Sequence, residues 1–325
     1  MNDGKTEVGW IKNGGTASYL LYNLNDATYK VLANISDHAS GNGRINVSMD
    51  HYGSSNEYNG TYNITGTNAN SEIISSASLS RGFKLLNLSF EVEGGGYVCN
   101  YNNIRFQMLS MNLDESKDYN PNYPENIPGV DVVLTRNLSA NNWSTIMLPF
   151  NISATDLGTA LGTTVTLAQF DNYDSENKQL VFTSPASSIT ANTPYMIKVS
   201  EAVSGAKTIN GVNIVTTGNQ YVDQSGVRFQ GVYASTPMDA GDYFFSNNNL
   251  YKATASTKPI KPFRAYFKDV PAGARLMFFD ETTGISEVMG NTEKASGNYY
   301  DLQGRRIAQP QKGLYIVNGK KVFVK

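Results

Sequence analysis

The chain has 325 residues, room for about two ordinary domains. Asp, Glu, Lys and Arg make up only 17% of it, against about 25% in an average globular protein, and 26 basic against 28 acidic residues leave a net charge of −2, which excludes the broad basic field that nucleic acid or an anionic membrane requires. A single cysteine, Cys99, rules out an internal disulfide, and two histidines, His38 and His51, are too few for a histidine-rich metal site, so neither a metal nor a cofactor is expected.

In chain order, Tyr19, Leu21 and Asn23 alternate with Leu20, Tyr22 and Leu24, the two-residue period of a strand. After a turn at Asn25-Asp26 the period resumes at Tyr29, Val31 and Ala33. Further strands are expected at 44–49, 84–90 and 104–108, separated by breaks at Gly41-Asn42-Gly43, from Gly53 to Gly60, and at Gly94-Gly95-Gly96. Twenty tyrosines and fourteen phenylalanines among short strands and tight turns predict an all-β chain. Residues 1–110 form its first β-sandwich, and 111–129, with Pro121, Pro124 and Pro128 and little aliphatic content, form a linker.

A second strand series, 130–283, is expected to be β-sandwich-like. Its helical candidate is short: Ser153 caps a stretch with Leu157 and Leu161 on one face, and Gly162 stops it. Residues 284–325 carry seven bases and three acids, net +4, which leaves −6 for the rest. This small β tail is expected to be a separate unit ending in a hairpin on Asn318-Gly319. No run of about 18 apolar residues marks a membrane span, and Met1-Asn2-Asp3-Gly4-Lys5 lacks a signal-peptide core. The chain is therefore expected to be cytosolic or a fragment of something exported.

Catalytic signals are absent. No Gly-x-Ser-x-Gly occurs, no pair of acids is singled out by spacing, and Cys99 reads as a small buried hydrophobe rather than a nucleophile. His38 and His51 lie in turn-rich stretches and read as solvated loop residues. The glycines after Glu93 read as a turn, since no helix follows whose amides could hold phosphate. What the residues do offer is chemistry for neutral polyhydroxylated molecules. An aromatic ring gives a sugar's C–H face an apolar contact, and a carboxamide serves adjacent hydroxyls as donor and acceptor together. Trp10 and the stretch Tyr97-Val98-Cys99-Asn100-Tyr101-Asn102-Asn103 are the best such candidates, with Tyr97, Asn100 and Tyr101 as contacts.

Val8-Gly9-Trp10-Ile11-Lys12-Asn13-Gly14, Ala27-Thr28-Tyr29-Lys30-Val31 and Asn100-Tyr101-Asn102-Asn103-Ile104-Arg105-Phe106 resemble the opening and closing motifs of family-six-like carbohydrate-binding modules, over about residues 5–108. The resemblance implies a jelly-roll sandwich with a glycan cleft in its loops. Trp10 would be one aromatic wall and Asn100 a partner of sugar hydroxyls. It also implies departures: Thr65-Gly66-Thr67-Asn68-Ala69-Asn70 carries no second tryptophan wall, so affinity should be weak or the ligand different. Asn102 stands where the family has an aspartate, the first strand with its acidic calcium ligand is missing upstream of Asp3, and no bound calcium is expected.

Asn142-Trp143-Ser144-Thr145-Ile146-Met147-Leu148-Pro149-Phe150, Pro194-Tyr195-Met196-Ile197-Lys198 and Phe263-Arg264-Ala265-Tyr266-Phe267 resemble a β-rich region of large Bacteroidetes-type surface proteins. Tyr300-Asp301-Leu302-Gln303-Gly304-Arg305-Arg306, Gly313-Leu314-Tyr315-Ile316-Val317 and Lys320-Lys321-Val322-Phe323-Val324-Lys325 are similar to the C-terminal sorting domains read by type IX secretion. Together these resemblances imply a monomeric, non-catalytic part of an exported polysaccharide-acting or surface protein. It would be extracellular or on the bacterial cell surface, would bind a polysaccharide or oligosaccharide, and would meet the secretion machinery through its tail. The alternative is an adhesin or structural protein that binds other proteins.

Overall fold

The computed structural model describes residues 8–54, 56–280, 285–289, 298–308, 313–317 and 320–324. The chain is nearly all strand and divides into two compact units, Met1–Asn112 with Gly129–Val133, and Leu113–Pro128 with Leu134–Lys325.

The first unit is built from β1 (Val8–Lys12), β2 (Thr16–Asn23), β3 (Ala27–Asp37), β4 (Gly43–His51), β5 (Asn56–Asn63), β6 (Asn68–Leu79), β7 (Gly82–Val92) and β8 (Tyr97–Asp114). One sheet runs β2-β7-β4-β5; in the other, β1 adds to β8, which neighbours β3 and then β6. These strands pair antiparallel throughout the described residues. The orders 2-7-4-5 and 1-8-3-6 are those of a jelly roll, in which two Greek keys fold one chain into two facing sheets. Val31, Ile35, Ile45, Val47, Leu86, Leu88, Phe90 and Val98 fill the space between them. Along β2 the alternation is as the sequence requires: Tyr19 and Leu21 pack on this core while Leu20 and Tyr22 stay exposed. The stretch 53–60, expected as a break, instead turns early and enters β5 at Asn56. An edge strand tolerates its asparagines and Gly60, and Tyr58 and Tyr62 pack against the core.

One end of this sandwich is pinned by a buried charge. Lys84 is 1% exposed, and its ammonium donates to Glu57 Oε1 at 3.0 Å, Ser80 Oγ at 2.8 Å and His51 Nδ1 at 2.6 Å. Three donors therefore meet three acceptors, and the carboxylate supplies the countercharge that a buried cation needs. Burial raises the Glu57 carboxyl, but hydrogen bonds from Ser80 and Lys84 outweigh it and hold the group below the ordinary carboxylate range.

In the second unit one sheet has the order Trp143–Ile146, Tyr195–Val199, Val165–Asp174, Gln179–Ala186, Arg275–Asp280, Ile285–Met289, Lys320–Val324, Gly313–Val317, Tyr299–Tyr300, Arg306–Ile307. A second sheet runs Tyr221–Gln224, Val227–Val232, Arg264–Lys268, Tyr243–Ser246, Asn249–Lys252. Phe170 and Phe182 of the first meet Phe229 and Phe267 of the second, with the Phe182 and Phe229 rings edge to face at 5.6 Å. Helix α1 (Ala154–Leu161) forms as expected: Ser153 accepts from the Asp156 N–H, and Gly162 closes the end in the left-handed region at φ 74°.

Two expected boundaries differ. The 111–129 stretch, read as a linker, belongs from Leu113 to Pro128 to the second unit. There Glu115 accepts from Arg264 Nη2 at 2.6 Å, and Tyr119, 4% exposed, donates its N–H to Tyr233 O. A side-chain ion pair and a backbone bond thus anchor the segment before it enters the strand Ile127–Thr135. The 284–325 tail, read as a separate unit, extends the larger sheet: Ile285–Met289 pairs antiparallel with Arg275–Asp280, and Lys320–Val324 pairs parallel with Ile285–Met289. The final hairpin forms, with Val317 opposite Lys320; its Asn318-Gly319 turn lies outside the described residues.

Glu57→Gln leaves Lys84 buried without a countercharge and should cost about 3–5 kcal/mol in chemical denaturation, most of it recovered in the double variant with Lys84→Met. Because the carboxyl is held low in the folded state, its contribution is complete above the unfolded carboxylate value of about 4.3 and disappears as pH falls through the lower folded value. The wild-type melting temperature should therefore drop more steeply below about pH 4 than that of Glu57→Gln.

Candidate functional site

The jelly-roll order brings the start of β8, strand β1 and the β3–β4 turn to one end of the first sandwich. Asn13 N–H donates to Gly96 O, His38 N–H to Val98 O, and Asp37 N–H to Thr67 Oγ1. Asp37 then turns its carboxylate into its own loop, accepting from the Ala39 N–H at 2.8 Å and the Gly41 N–H at 2.7 Å. The turn that carries His38 is thereby fixed.

β1 does not pair with β8 in simple register. Val8 faces Tyr101 and Ile11 faces Cys99, so three steps on β1 match two on β8 and one extra residue must bulge out. Trp10 sits in that bulge at φ 58°, a left-handed conformation that costs an L-residue about 1–2 kcal/mol. Its N–H donates to Asn100 Oδ1 at 2.6 Å. The bulge turns the indole outward, leaving the residue 62% exposed.

Around the indole the other rings gather. His38 stacks on it with centroids 5.8 Å apart and planes 14° from parallel, and Tyr97 meets it edge-on at 5.3 Å. Lys12 Nζ lies 5.5 Å from the centre of the Tyr97 ring. Tyr97 is 42% exposed. The result is an open aromatic surface with a carboxamide bonded to its backbone and the Lys12 ammonium at its rim. Such a surface can take the C–H face of a sugar ring while polar edges meet its hydroxyls.

Of the four residues expected to bind sugar, the structure brings Trp10, Asn100 and Tyr97 together. Tyr101 is removed from the surface: it is 3% exposed, stacks on Phe90 at 5.4 Å and shares a hydrogen bond with the Tyr19 hydroxyl. Burial and that contact push its phenol well above the ordinary range. The cause is strand parity, since Asn100 and Tyr101 are consecutive in β8 and must face opposite sides of the sheet. Asn100 has a different primary duty from the one expected, because its oxygen is engaged by Trp10 and its Nδ2 is the group left for a ligand. His38, read as a solvated loop residue, belongs to the surface; no local signal marks it, since only the β3–β4 turn brings it to Trp10.

Cys99 is fully buried, and desolvation, with the nearby Asp37 charge, pushes its thiol up to about 12. It is inert packing. His51 lies at the far end of β4 from Gly43, which is packed near Val98, and so it is not Cys99's partner. Among the described residues no three His, Cys, Asp or Glu side chains converge as metal ligands. In the second unit a cleft of about 730 Å³ lies beside α1, lined by Asn151, Ser153, Asp156, Asn210 and Asn213; none of its lining side chains is aromatic, and Asp156 is engaged by Ser153. No helix among the described residues is long and apolar enough to cross a membrane.

Compared with known proteins, the sequence matches no family model and no curated protein.

Trp10→Gly relieves the left-handed strain of about 1–2 kcal/mol and forfeits ring contacts of about 0.5–1.5 kcal/mol. Its folding stability should therefore stay within about 1 kcal/mol of wild type. A loss above about 3 kcal/mol, the scale of a deleted core aromatic, would mark Trp10 as a packing residue instead.

Proposed function

We propose that this chain is a non-catalytic carbohydrate-binding part of an exported polysaccharide-acting or surface protein. The observation that carries this reading is Trp10: a large ring held in a costly backbone conformation by Asn100, with most of the residue in solvent. Strain and exposure of an aromatic together are destabilising, and such features persist where a site needs them. A sugar ring would lie on the part of the indole that His38 leaves open, with Tyr97 at its edge and Asn100 Nδ2 donating to a hydroxyl. One exposed platform without a second tryptophan supports weak, open-sided binding to a chain of sugars. Binding of this kind raises the local concentration of an attached activity near a polymer without adding contacts of its own.

The jelly-roll order supports the resemblance to family-six-like modules for residues 5–108. The terminal strands of 284–325 are in keeping with a sorting tail, which would place the protein outside the cell or on its surface as a monomer that meets the secretion machinery once. A second reading, an adhesin that binds proteins, is favoured by one feature. Leu20, Tyr22 and Phe83 are each about half exposed on the outer face of β2 and β7, with the Tyr22 and Phe83 rings 4.9 Å apart.

Affinity electrophoresis of the full chain through a panel of soluble polysaccharides decides between them. Retardation by at least one glycan that falls at least about tenfold in Trp10→Ala, the loss of roughly one stacked ring, and falls less in Asn100→Ala, is the expected result. Retardation unchanged in both variants would overturn the assigned surface.

A further inference from the structure

Resting on the reading of Trp10 as a sugar platform, we propose that the sugar it takes is anionic: a uronate or a sulfated unit whose ring lies on the indole and whose charge meets Lys12. Lys12 brings a positive charge to the edge of this surface. Lys12 is exposed, lies against Tyr97, and has no carboxylate partner among the described residues. Tyr97 in turn touches Trp10, so the ammonium sits one ring away from the platform. His38 stacks on the indole itself.

The acid beside His38 is turned into its own loop. Asp37, adjacent to His38, spends both carboxylate oxygens on the Ala39 and Gly41 amides. Glu93, the acid nearest Tyr97 in sequence, is exposed in the β7–β8 turn. Asn100 has committed its acceptor oxygen to Trp10, which leaves its Nδ2 donor for a ligand. The Lys12 ammonium and an amide N–H both favour an oxyanion. A neutral sugar would use the ring and leave Lys12 in water. An acidic sugar of the same shape would use both.

Isothermal titration of the full chain against three oligosaccharides of matched length, a neutral glucan, a galacturonate and a sulfated galactan, tests this. Titrations are run at about 20 mM and about 500 mM NaCl, between which screening shortens several-fold. The expected result is about 2- to 5-fold tighter binding of an acidic oligosaccharide at low salt, the range for one exposed ion pair, with the advantage lost at high salt and in Lys12→Gln. The galacturonate and sulfated arms separate carboxylate from sulfate as the source of the charge. Equal binding of all three oligosaccharides, sensitive to Trp10→Ala but not to Lys12→Gln or salt, would overturn the charge preference and leave the sugar platform standing. Binding of none, or binding insensitive to Trp10→Ala, would overturn both.

Discussion

A single hydrogen bond, from the Trp10 N–H to Asn100 Oδ1, decides what the end of the first sandwich presents to solvent. Without a fixed acceptor, the extra residue between Val8 and Ile11 could relax out of the left-handed region, and the indole would be free to fold back onto apolar neighbours. With it, the bulge is held open and the ring faces outward. The bond joins residues ninety apart in the chain, so it exists only because the jelly roll lays β1 along β8. Topology comes first, then the bulge, then the exposed ring.

The same topology explains the companions of Trp10. Tyr97 enters β8 from the turn after β7, and His38 leaves β3 toward β4; in an eight-stranded jelly roll both turns fall at the end where β1 meets β8. The opposite end is organised around Lys84, whose ammonium is surrounded by Glu57, Ser80 and His51. At first sight a serine, a histidine, a glutamate and a lysine resemble catalytic parts. The hydrogen bonds argue otherwise: the Lys84 ammonium is spent on Glu57, Ser80 and His51 Nδ1, and the Ser80 hydroxyl donates to Glu57. That end is a device for burying a charge, while the Trp10 end leaves its polar and aromatic groups open.

Much of the architecture was legible because period and punctuation are local properties. The alternation at 19–24, the capped helix after Ser153 and the strands of the terminal hairpin all follow from neighbouring residues. β5 escaped because asparagine and glycine usually mark turns, and what makes them a strand is the neighbouring β4, six residues away at the closest pairing near the turn and nineteen at the farthest. The Glu115 and Tyr119 anchors escaped for the same reason, since their partners Arg264 and Tyr233 lie more than a hundred residues on. At the site, Trp10 and Asn100 came from a motif resemblance that already encodes topology. Tyr101 could have been set aside by parity alone, being one residue from Asn100 in a strand. His38 could not have been found by any local rule.

The account stands on the outward indole as the surface that meets a ligand, and the two tryptophans of this chain allow a direct reading of it: Trp10 is 62% exposed and Trp143 3%. The indole N–H resonances of the full chain, recorded while neutral and acidic oligosaccharides are added, report on each separately. The account predicts that a binding oligosaccharide moves the Trp10 signal progressively and leaves the Trp143 signal in place. A sugar that binds while the Trp10 signal stays fixed would contradict it.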